Sequence, residues 1–215
     1  MRLKNEQILS TCLWLGVVAF SLWARFQLPD APIATHFDLD GQPNGFSSRD
    51  QALAFFPIMM PVLALFLWVL PVISPKNASL KRSQLAYDTA QLAIIAFLAV
   101  VHIVLVLKAL GVHIDIISIL SLGAGFLFLI IGNFLPKTRF NYFMGVRTPW
   151  TLSDERVWDR THRLAGPLFM LAGLVVILSA CLLPQSWQTT ILLVAALGAS
   201  LIACAYSYIV SRHLR

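Results

Sequence analysis

The chain has 215 residues, of which 58% are hydrophobic and 12% are charged, and its mean hydropathy is +0.77. Soluble domains carry about 45–50% apolar and about 25% charged residues. This composition excludes an ordinary cytosolic globule, a disordered tail and a nucleic-acid-binding domain, although the formal net charge is +6. Because the basic residues stand between long apolar segments, we expect the chain to lie in a lipid bilayer.

Six segments are long and apolar enough to cross a membrane, since a helix needs about 20 such residues to span the hydrocarbon core. They are Ile8–Leu28, Ala52–Ile73, Thr89–Leu110, Ile114–Leu135, Gly166–Leu183 and Trp187–Val210. Backbone polar groups in lipid must be paired internally, which favours helices, and the segments lack the alternating pattern of barrel strands. We therefore predict an all-α bundle of six transmembrane helices, with residues 1–215 forming a single integral-membrane domain.

Lys and Arg are concentrated on one side of this predicted bundle. Of the 16 such residues, all but Arg25, Arg49 and Lys108 fall at the two termini, after the second span and after the fourth. Because Lys and Arg accumulate on the cytoplasmic side of membrane proteins, both termini are expected in the cytoplasm.

Two connections are long enough to be candidate functional sites. We call Pro29–Gln51 the outer loop and Pro136–Ala165 the inner loop. In the outer loop, Ile33–Phe37 is predicted to be extended and Gly41–Gly45 to form a turn, since Asn-Gly favours positive φ. Ser48 is predicted to cap the second helix.

The outer loop contains the pattern H-x-D-x-D, formed by His36, Asp38 and Asp40. On a strand these three side chains share one face, so a metal site is one interpretation. The preferred interpretation is a turn stabilised by aspartates beside a surface histidine, with no metal and no cofactor.

Two features lie inside the predicted spans. Pro57, Pro61 and Pro71 are expected to kink the second helix, and neighbouring helices must then pair with the freed carbonyls. His102 is a functional hypothesis because it is ionisable and intramembrane. The alternative is a neutral histidine bonded to a neighbouring helix.

The last span carries small residues at a spacing of four: Ala195, Ala199, Ala203 and Ser207. Such a row lets two helix backbones approach closely. It predicts a packing face, either inside the bundle or between protomers.

The inner loop combines aromatic residues with cations, as is typical of a membrane interface. A short interfacial helix is predicted from about Asp154 to Leu164, capped by Thr151 or Ser153, with the fifth span restarting at Gly166. One interpretation is an amphipathic helix at the membrane surface. The other is a docking surface or an anion pocket formed by Lys137, Arg139, Arg147, His162 and Arg163.

No nucleophile elbow, P-loop or metalloprotease motif is present, so an enzyme is not expected.

The segment 133–166 reads NFLPKTRFNYFMGVRTPWTLSDERVWDRTHRLAG. It resembles the signature of the SdpI family of bacterial membrane proteins through Asn133, Leu135, Pro136, Lys137, Arg139, Asn141, Gly145, Arg147, Thr148, Pro149, Trp150, Thr151, Leu152, Trp158, Thr161, His162 and Gly166. The outer loop, through 34–37, Gly41, Pro43 and Gly45, resembles an uncharacterised domain that often precedes this signature.

The resemblance implies an integral membrane immunity and signal-transducing protein of the bacterial inner membrane. In this family a producing cell is protected against its own secreted killing peptide, and a small transcriptional repressor is held at the membrane. Carried over, the outer loop would sense or block an antimicrobial peptide, and the inner loop would dock a cytoplasmic partner. The outer-loop residues implied are His36, Phe37, Asp38, Asp40, Gly41, Pro43 and Gly45. The inner-loop residues implied are Asn133, Lys137, Arg139, Asn141, Arg147, Thr148, Trp150, Trp158, His162 and Arg163.

Two alternative functions remain open at this stage. One is a transporter or binding protein for a small molecule, lipid or anion, which would need a polar path beginning at His102. The other is a membrane enzyme acting on a lipid or phosphate group, with His162 as acid or base.

Overall fold

The computed structural model describes residues 5–73 and 83–214. In chain order the elements are α1 Asn5–Gln27, β1 Ile33–Phe37, β2 Pro43–Ser47, α2 Arg49–Ile73, α3 Gln84–Ala109, α4 Ile116–Phe134, a 3₁₀ turn Leu135–Lys137, α5 Pro149–Ser153, α6 Glu155–Leu182 and α7 Gln185–His213. Among the described residues, every helix except α5 and the 3₁₀ turn is long and apolar enough to cross a membrane. The predicted all-α fold with six spans is confirmed. Arg2, Lys4, Lys76, Lys81, Arg82 and Arg215 lie outside the described residues, and the sidedness of the bundle stays a prediction.

The helices pack as two groups that meet between α3 and α4. In the first group α1, α2 and α3 enclose a core that contains Val17, Met60 and Ile95. In the second group α6 lies between α4 and α7, and Leu135 and Ala203 are buried there. The outer loop closes one end of the first group, and the inner loop lies at the opposite end of the bundle.

Glycines set the distance between α4 and α6. A Cβ placed on Gly132 of α4 would lie 2.7 Å from the main-chain oxygen of Gly166. About two helical turns away along the same contact, a Cβ on Gly173 of α6 would lie 2.6 Å from the main-chain oxygen of Gly125 on α4. Close backbone contact of this kind is the usual basis of helix association in membranes, where burial of apolar surface supplies no driving force.

The helix α6 runs without interruption from Glu155 to Leu182, through Gly166 and Pro167. The prediction of a separate interfacial helix at 154–164 and of a span restarting at Gly166 is therefore wrong. Gly166 serves close packing instead, since its Cβ would lie 2.4 Å from Cγ of Pro136. Asp154 caps α6, because its carboxylate accepts a hydrogen bond from the main-chain N–H of Arg156 at 2.7 Å.

The prolines of α2 behave as expected from the chemistry of a helix in lipid. Pro61 cannot donate to the main-chain oxygen of Pro57, and Nε1 of Trp14 on α1 donates to that oxygen at 2.8 Å. Pro71 likewise leaves the main-chain oxygen of Leu67 without its helical partner, and the hydroxyl of Tyr87 on α3 donates to it. At these two positions a neighbouring helix supplies the missing donor, as predicted.

Gly132→Ala is expected to destabilise the bundle by about 1–3 kcal/mol, because the new methyl group meets main-chain atoms that cannot move aside. The melting temperature of the purified protein in detergent, followed by tryptophan fluorescence, measures this effect. Gly198→Ala on α7 is the matched control, since nothing lies within 4 Å of its added Cβ. Equal melting temperatures for the two variants would contradict the proposed role of the α4–α6 contact.

Candidate functional site

The inner loop is built around the indole of Trp158. This side chain is 0% exposed, and its Nε1 donates to the main-chain oxygen of Thr138 at 3.0 Å. The ring stacks on the imidazole of His162 with centroids 4.0 Å apart, and the edge of Phe140 meets it at 5.5 Å. The first part of the loop is thereby held down on the start of α6.

His162 uses both ring nitrogens to hold the main chain. Nε2 accepts a hydrogen bond from the main-chain N–H of Val146 at 3.0 Å. Because that N–H can only donate, Nδ1 must carry the ring hydrogen, and it donates to the main-chain oxygen of Trp158 at 2.8 Å. His162 is 1% exposed. Both ring nitrogens are therefore engaged by the main chain, and neither is free for the acid or base role that the membrane-enzyme alternative gives to His162.

Asn141 and Gly145 shape the turn between these contacts. The side-chain oxygen of Asn141 accepts from the main-chain N–H groups of Phe143 and Met144 at 2.8 and 2.7 Å. Its amide nitrogen donates to the main-chain oxygens of Arg139 and Met144 at 2.8 and 3.2 Å. Gly145 has φ +115°, and a Cβ there would lie 2.2 Å from Nε2 of His162. Glycine is required at this position both for the backbone conformation and for the space.

The short helix α5 fastens the loop to the last span. Thr148 caps α5 together with Thr151 in a reciprocal capping box. The hydroxyl of Thr148 also forms a hydrogen bond of 2.9 Å with the hydroxyl of Ser207 on α7. Trp150 packs on Tyr208 with ring centroids 5.0 Å apart. Of the predicted small-residue face of α7, Ala199, Ala203 and Ser207 are buried inside the bundle.

The predicted inner-loop residues therefore separate into two groups. Asn141, Thr148, Trp158 and His162 are buried and support the loop from within. Asn133, Lys137, Arg139, Arg147 and Arg163 are exposed, and Trp150 is half-buried. Because His162 is buried and bonded to the main chain through both nitrogens, it does not join the four exposed cations in one anion pocket.

Local contacts position three of the exposed cations. Nζ of Lys137 donates to the side-chain oxygen of Asn133 at 3.2 Å and lies 5.0 Å from the ring centroid of Phe134. The main-chain N–H of Arg139 donates to the hydroxyl of Ser83 at 2.7 Å, which fixes the loop to the start of α3. Nη1 of Arg147 donates to the main-chain oxygen of Tyr142 at 3.1 Å.

The outer loop forms an antiparallel hairpin of β1 and β2. Asp38 stabilises its turn by accepting from the main-chain N–H groups of Asp40 and Gln42 at 3.0 and 2.8 Å. Nδ1 of His36 lies 2.5 Å from the side-chain oxygen of Asn44. The positive φ belongs to Gly41 (+77°), so the turn precedes the predicted Asn-Gly pair, which lies in β2. Gly45 is needed because a Cβ there would lie 2.8 Å from Cβ of His36.

The hairpin rests on the ends of several helices. Ile33 is buried against Ala24 and Leu28 of the first helix group, and Lys108 lies 5.7 Å from the ring centroid of Phe37. Gly41 fits between the side chains of Ile117 on α4 and Gln185 on α7. The predicted capping role of Ser48 is confirmed, since its hydroxyl accepts from the main-chain N–H of Gln51 at 3.4 Å. Within 5–73 and 83–214, no three His, Cys, Asp or Glu side chains are grouped so as to hold a metal ion.

His102 lies between helices, and its hydrogen-bond partner among the described residues is a hydroxyl group. It is 0% exposed, and its Nε2 lies 2.7 Å from the hydroxyl of Ser21 on α1. The rings of Phe20 and Phe56 pack on the imidazole. This arrangement is the neutral histidine bonded to a neighbouring helix that the sequence offered as the alternative.

Sequence reasoning missed a cavity of about 300 Å³ between the inner loop and the spans. Tyr87 and Gln91 of α3 line it together with Phe143 and Arg147 of the loop and Phe169 of α6. The available signal was the spacing of Tyr87 and Gln91, which places two polar side chains on one face of an apolar helix.

Comparisons with known proteins agree with this division into two loops. Residues 137–211 match the model of the SdpI/YfhL protein family, and residues 12–60 match a domain of unknown function, DUF1648. The chain is 26% identical over 135 residues to "Immunity protein SdpI" of Bacillus subtilis (strain 168). That match spans 63% of this chain and 63% of the relative, just under two thirds of its length. No solved structure matches the chain.

Gly145→Ala is expected to loosen the inner loop, because its Cβ displaces His162 or breaks the hydrogen bond from Val146. We expect a melting temperature lower than that of Gly111→Ala. Gly111 also has a positive φ, at +84°, but nothing lies within 4 Å of its added Cβ. The control therefore reproduces the backbone strain, which costs about 1–2 kcal/mol, without the collision. Equal destabilisation of the two variants would contradict the role given to the His162 contact.

Proposed function

Because the chain belongs to the SdpI/YfhL protein family and is a multi-pass bacterial membrane protein, we propose that it is an immunity protein. It protects the cell against an antimicrobial peptide and docks a cytoplasmic partner through the inner loop. The observation that supports this most is the 26% identity to an immunity protein over 135 residues. The two matched family regions also contain both loops, since 12–60 includes the hairpin and 137–211 includes most of the inner loop.

The outer hairpin has the surface expected of a peptide-binding element. Its backbone is ordered by the Asp38 turn and by Ile33, while Leu39 and Phe46 point their apolar side chains outward. Exposed apolar residues on a rigid support are typical of interaction sites. Asp40 lies next to Leu39 and would favour a cationic ligand.

The inner loop offers a different chemistry. Arg139 on the loop and Arg160 and Arg163 at the start of α6 are exposed, and Trp158 and His162 hold the loop against that part of α6. Exposed guanidinium groups suit a partner with an acidic surface, because Arg binds carboxylates in a planar, bidentate manner.

Helix α4 provides a physical connection between the two loops. At one end Ile117 contacts Gly41 of the hairpin turn. At the other end the main-chain oxygen of Leu135, which follows α4, accepts a hydrogen bond from the hydroxyl of Thr138 in the inner loop at 2.7 Å. A shift of α4 caused by a ligand at the hairpin would therefore move the support of the inner loop.

Expression of the chain in Bacillus subtilis lacking its own immunity protein is expected to restore survival in the presence of the killing peptide which that relative resists. Colony counts over a series of peptide concentrations measure protection, with empty vector as the control. Peptides encoded beside the gene of this chain form the second challenge. Survival at the empty-vector level in both challenges would contradict the proposed immunity function.

Phe46→Ala in the same strain is expected to lower protection about tenfold, the effect of losing one important apolar contact. Trp187→Ala is the matched control. Trp187 lies in the first turn of α7 near the hairpin and has the same exposure as Phe46, 61%. Equal effects of the two substitutions would mean that the hairpin has no special role.

The double substitution Arg160→Gln/Arg163→Gln is expected to abolish docking and leave protection intact. A reporter fused to the promoter of the immunity operon measures docking as induction by the peptide, and colony counts measure protection. Arg212→Gln, an exposed cation near the end of α7, is the control. Full induction in the double variant would contradict docking through these arginines.

A further inference from the structure

The cavity under the inner loop is lined mainly by apolar residues, with Gln91 and Arg147 among its polar ones. Its volume is about 300 Å³, at the lower end of the range of ligand sites in proteins. Leu67, Ile94 and Phe169 line it and come from three different spans. Main-chain and side-chain atoms of residues 143–147 form its edge on the side of the inner loop. A molecule that enters it would lie partly among the spans and partly at the level of the loop.

Gln91 places an unused hydrogen-bond donor in this cavity. The residue is 6% exposed, and its Nε2 has no hydrogen-bond partner among the described residues. A buried amide N–H without an acceptor destabilises the folded protein, because its bond to water is lost and not replaced. Tyr87, one turn earlier on the same face of α3, is different, because its hydroxyl already donates to Leu67. The donor of Gln91 is thus available to an acceptor atom brought by a ligand.

Arg147 provides a positive charge at the rim of the cavity. Its guanidinium is exposed and donates to the main-chain oxygen of Tyr142 at 3.1 Å, which directs the side chain along the loop. None of the ion pairs found among residues 5–73 and 83–214 involves Arg147. Most of its donors are therefore open to an anion.

We propose that this cavity binds one anionic phospholipid from the leaflet on the side of the inner loop. The phosphate lies at Arg147, the ester carbonyl accepts from Nε2 of Gln91, and part of one acyl chain occupies the apolar interior. A phospholipid presents these three chemistries in this order, from the headgroup to the chain. Basic pockets between membrane helices bind anionic headgroups for the same reason.

The apolar lining favours a lipid over a free anion. Moving a hydrated phosphate among Leu67, Ile94 and Phe169 would carry a large desolvation cost, which only a paired charge could offset. A lipid leaves its phosphate at the exposed guanidinium and buries only the ester and the chain. This inference does not rest on the immunity function, and either proposal can fail without the other.

Thermal shifts of the purified full-length protein in detergent test the proposal. Phosphatidylglycerol is expected to raise the melting temperature, phosphatidylcholine much less, and inorganic phosphate not at all. Gln91→Leu and Arg147→Gln are each expected to raise the half-saturating concentration of phosphatidylglycerol about tenfold. Arg212→Gln should behave as the wild type, since Arg212 is an exposed cation that does not line the cavity.

Folding of the variants is checked in the same experiment. Without lipid, Gln91→Leu should melt at or above the temperature of the wild type, because the substitution removes an unpaired buried amide. A loss of lipid response in that variant then reports binding and not misfolding. Three outcomes would overturn the proposal: equal shifts with both lipids, an unchanged phosphatidylglycerol response in Gln91→Leu, or a full shift with inorganic phosphate alone.

Discussion

In a bilayer the protein must supply a partner for each polar group that it buries, because lipid tails offer none. Much of this structure follows from that constraint. Trp14 and Tyr87 pair with the carbonyls that Pro61 and Pro71 release in α2, so these two acceptors are satisfied by neighbouring helices. The inner loop obeys the same rule at the level of the headgroups, where Asn141 alone makes four hydrogen bonds to the main chain.

The exceptions to this rule are informative. Among the described residues, Gln91, His102 and Thr161 each keep one buried polar atom without a partner. His102 is packed between aromatic rings, whereas Gln91 faces a cavity that also reaches a cation. An unpaired donor beside a cavity is the observation on which the proposed lipid site rests.

The sequence predicts the spans and the two loops because these depend on composition and length alone. It also predicts Trp158 and His162 as candidate site residues, but it does not predict that both side chains are buried under the inner loop. A tryptophan among arginines fits a membrane surface as well as it fits a core, and burial depends on contacts with residues far away in the chain. The continuity of α6 through Gly166 was missed for a similar reason. A Gly-Pro pair in the sequence predicts a helix break. Here glycine is required because Pro136 packs directly against Gly166, and that contact cannot be seen in the sequence.

In the outer hairpin, the sequence predicts the first strand correctly but places the turn too late. Ile33–Phe37 was predicted as extended from its residues, and β1 has those bounds. The turn was displaced because the side chain of Asp38 captures two main-chain N–H groups and moves the positive φ to Gly41. Gln91 lies in a span and not in either loop, so the sequence does not mark it as a candidate site residue. An amide within an apolar span indicates a binding site only when the structure shows a cavity beside it.

The bond between Thr148 and Ser207 joins residues that are 59 positions apart in the chain. During synthesis the inner loop leaves the ribosome well before α7, so Thr148 and Trp150 lack their contacts with Ser207 and Tyr208 until the last span is inserted. The loop thus reaches its final form only in a complete molecule. A chain that stops before α7 would lack both of these contacts, and its inner loop would be held less firmly and be easier for a protease to cut.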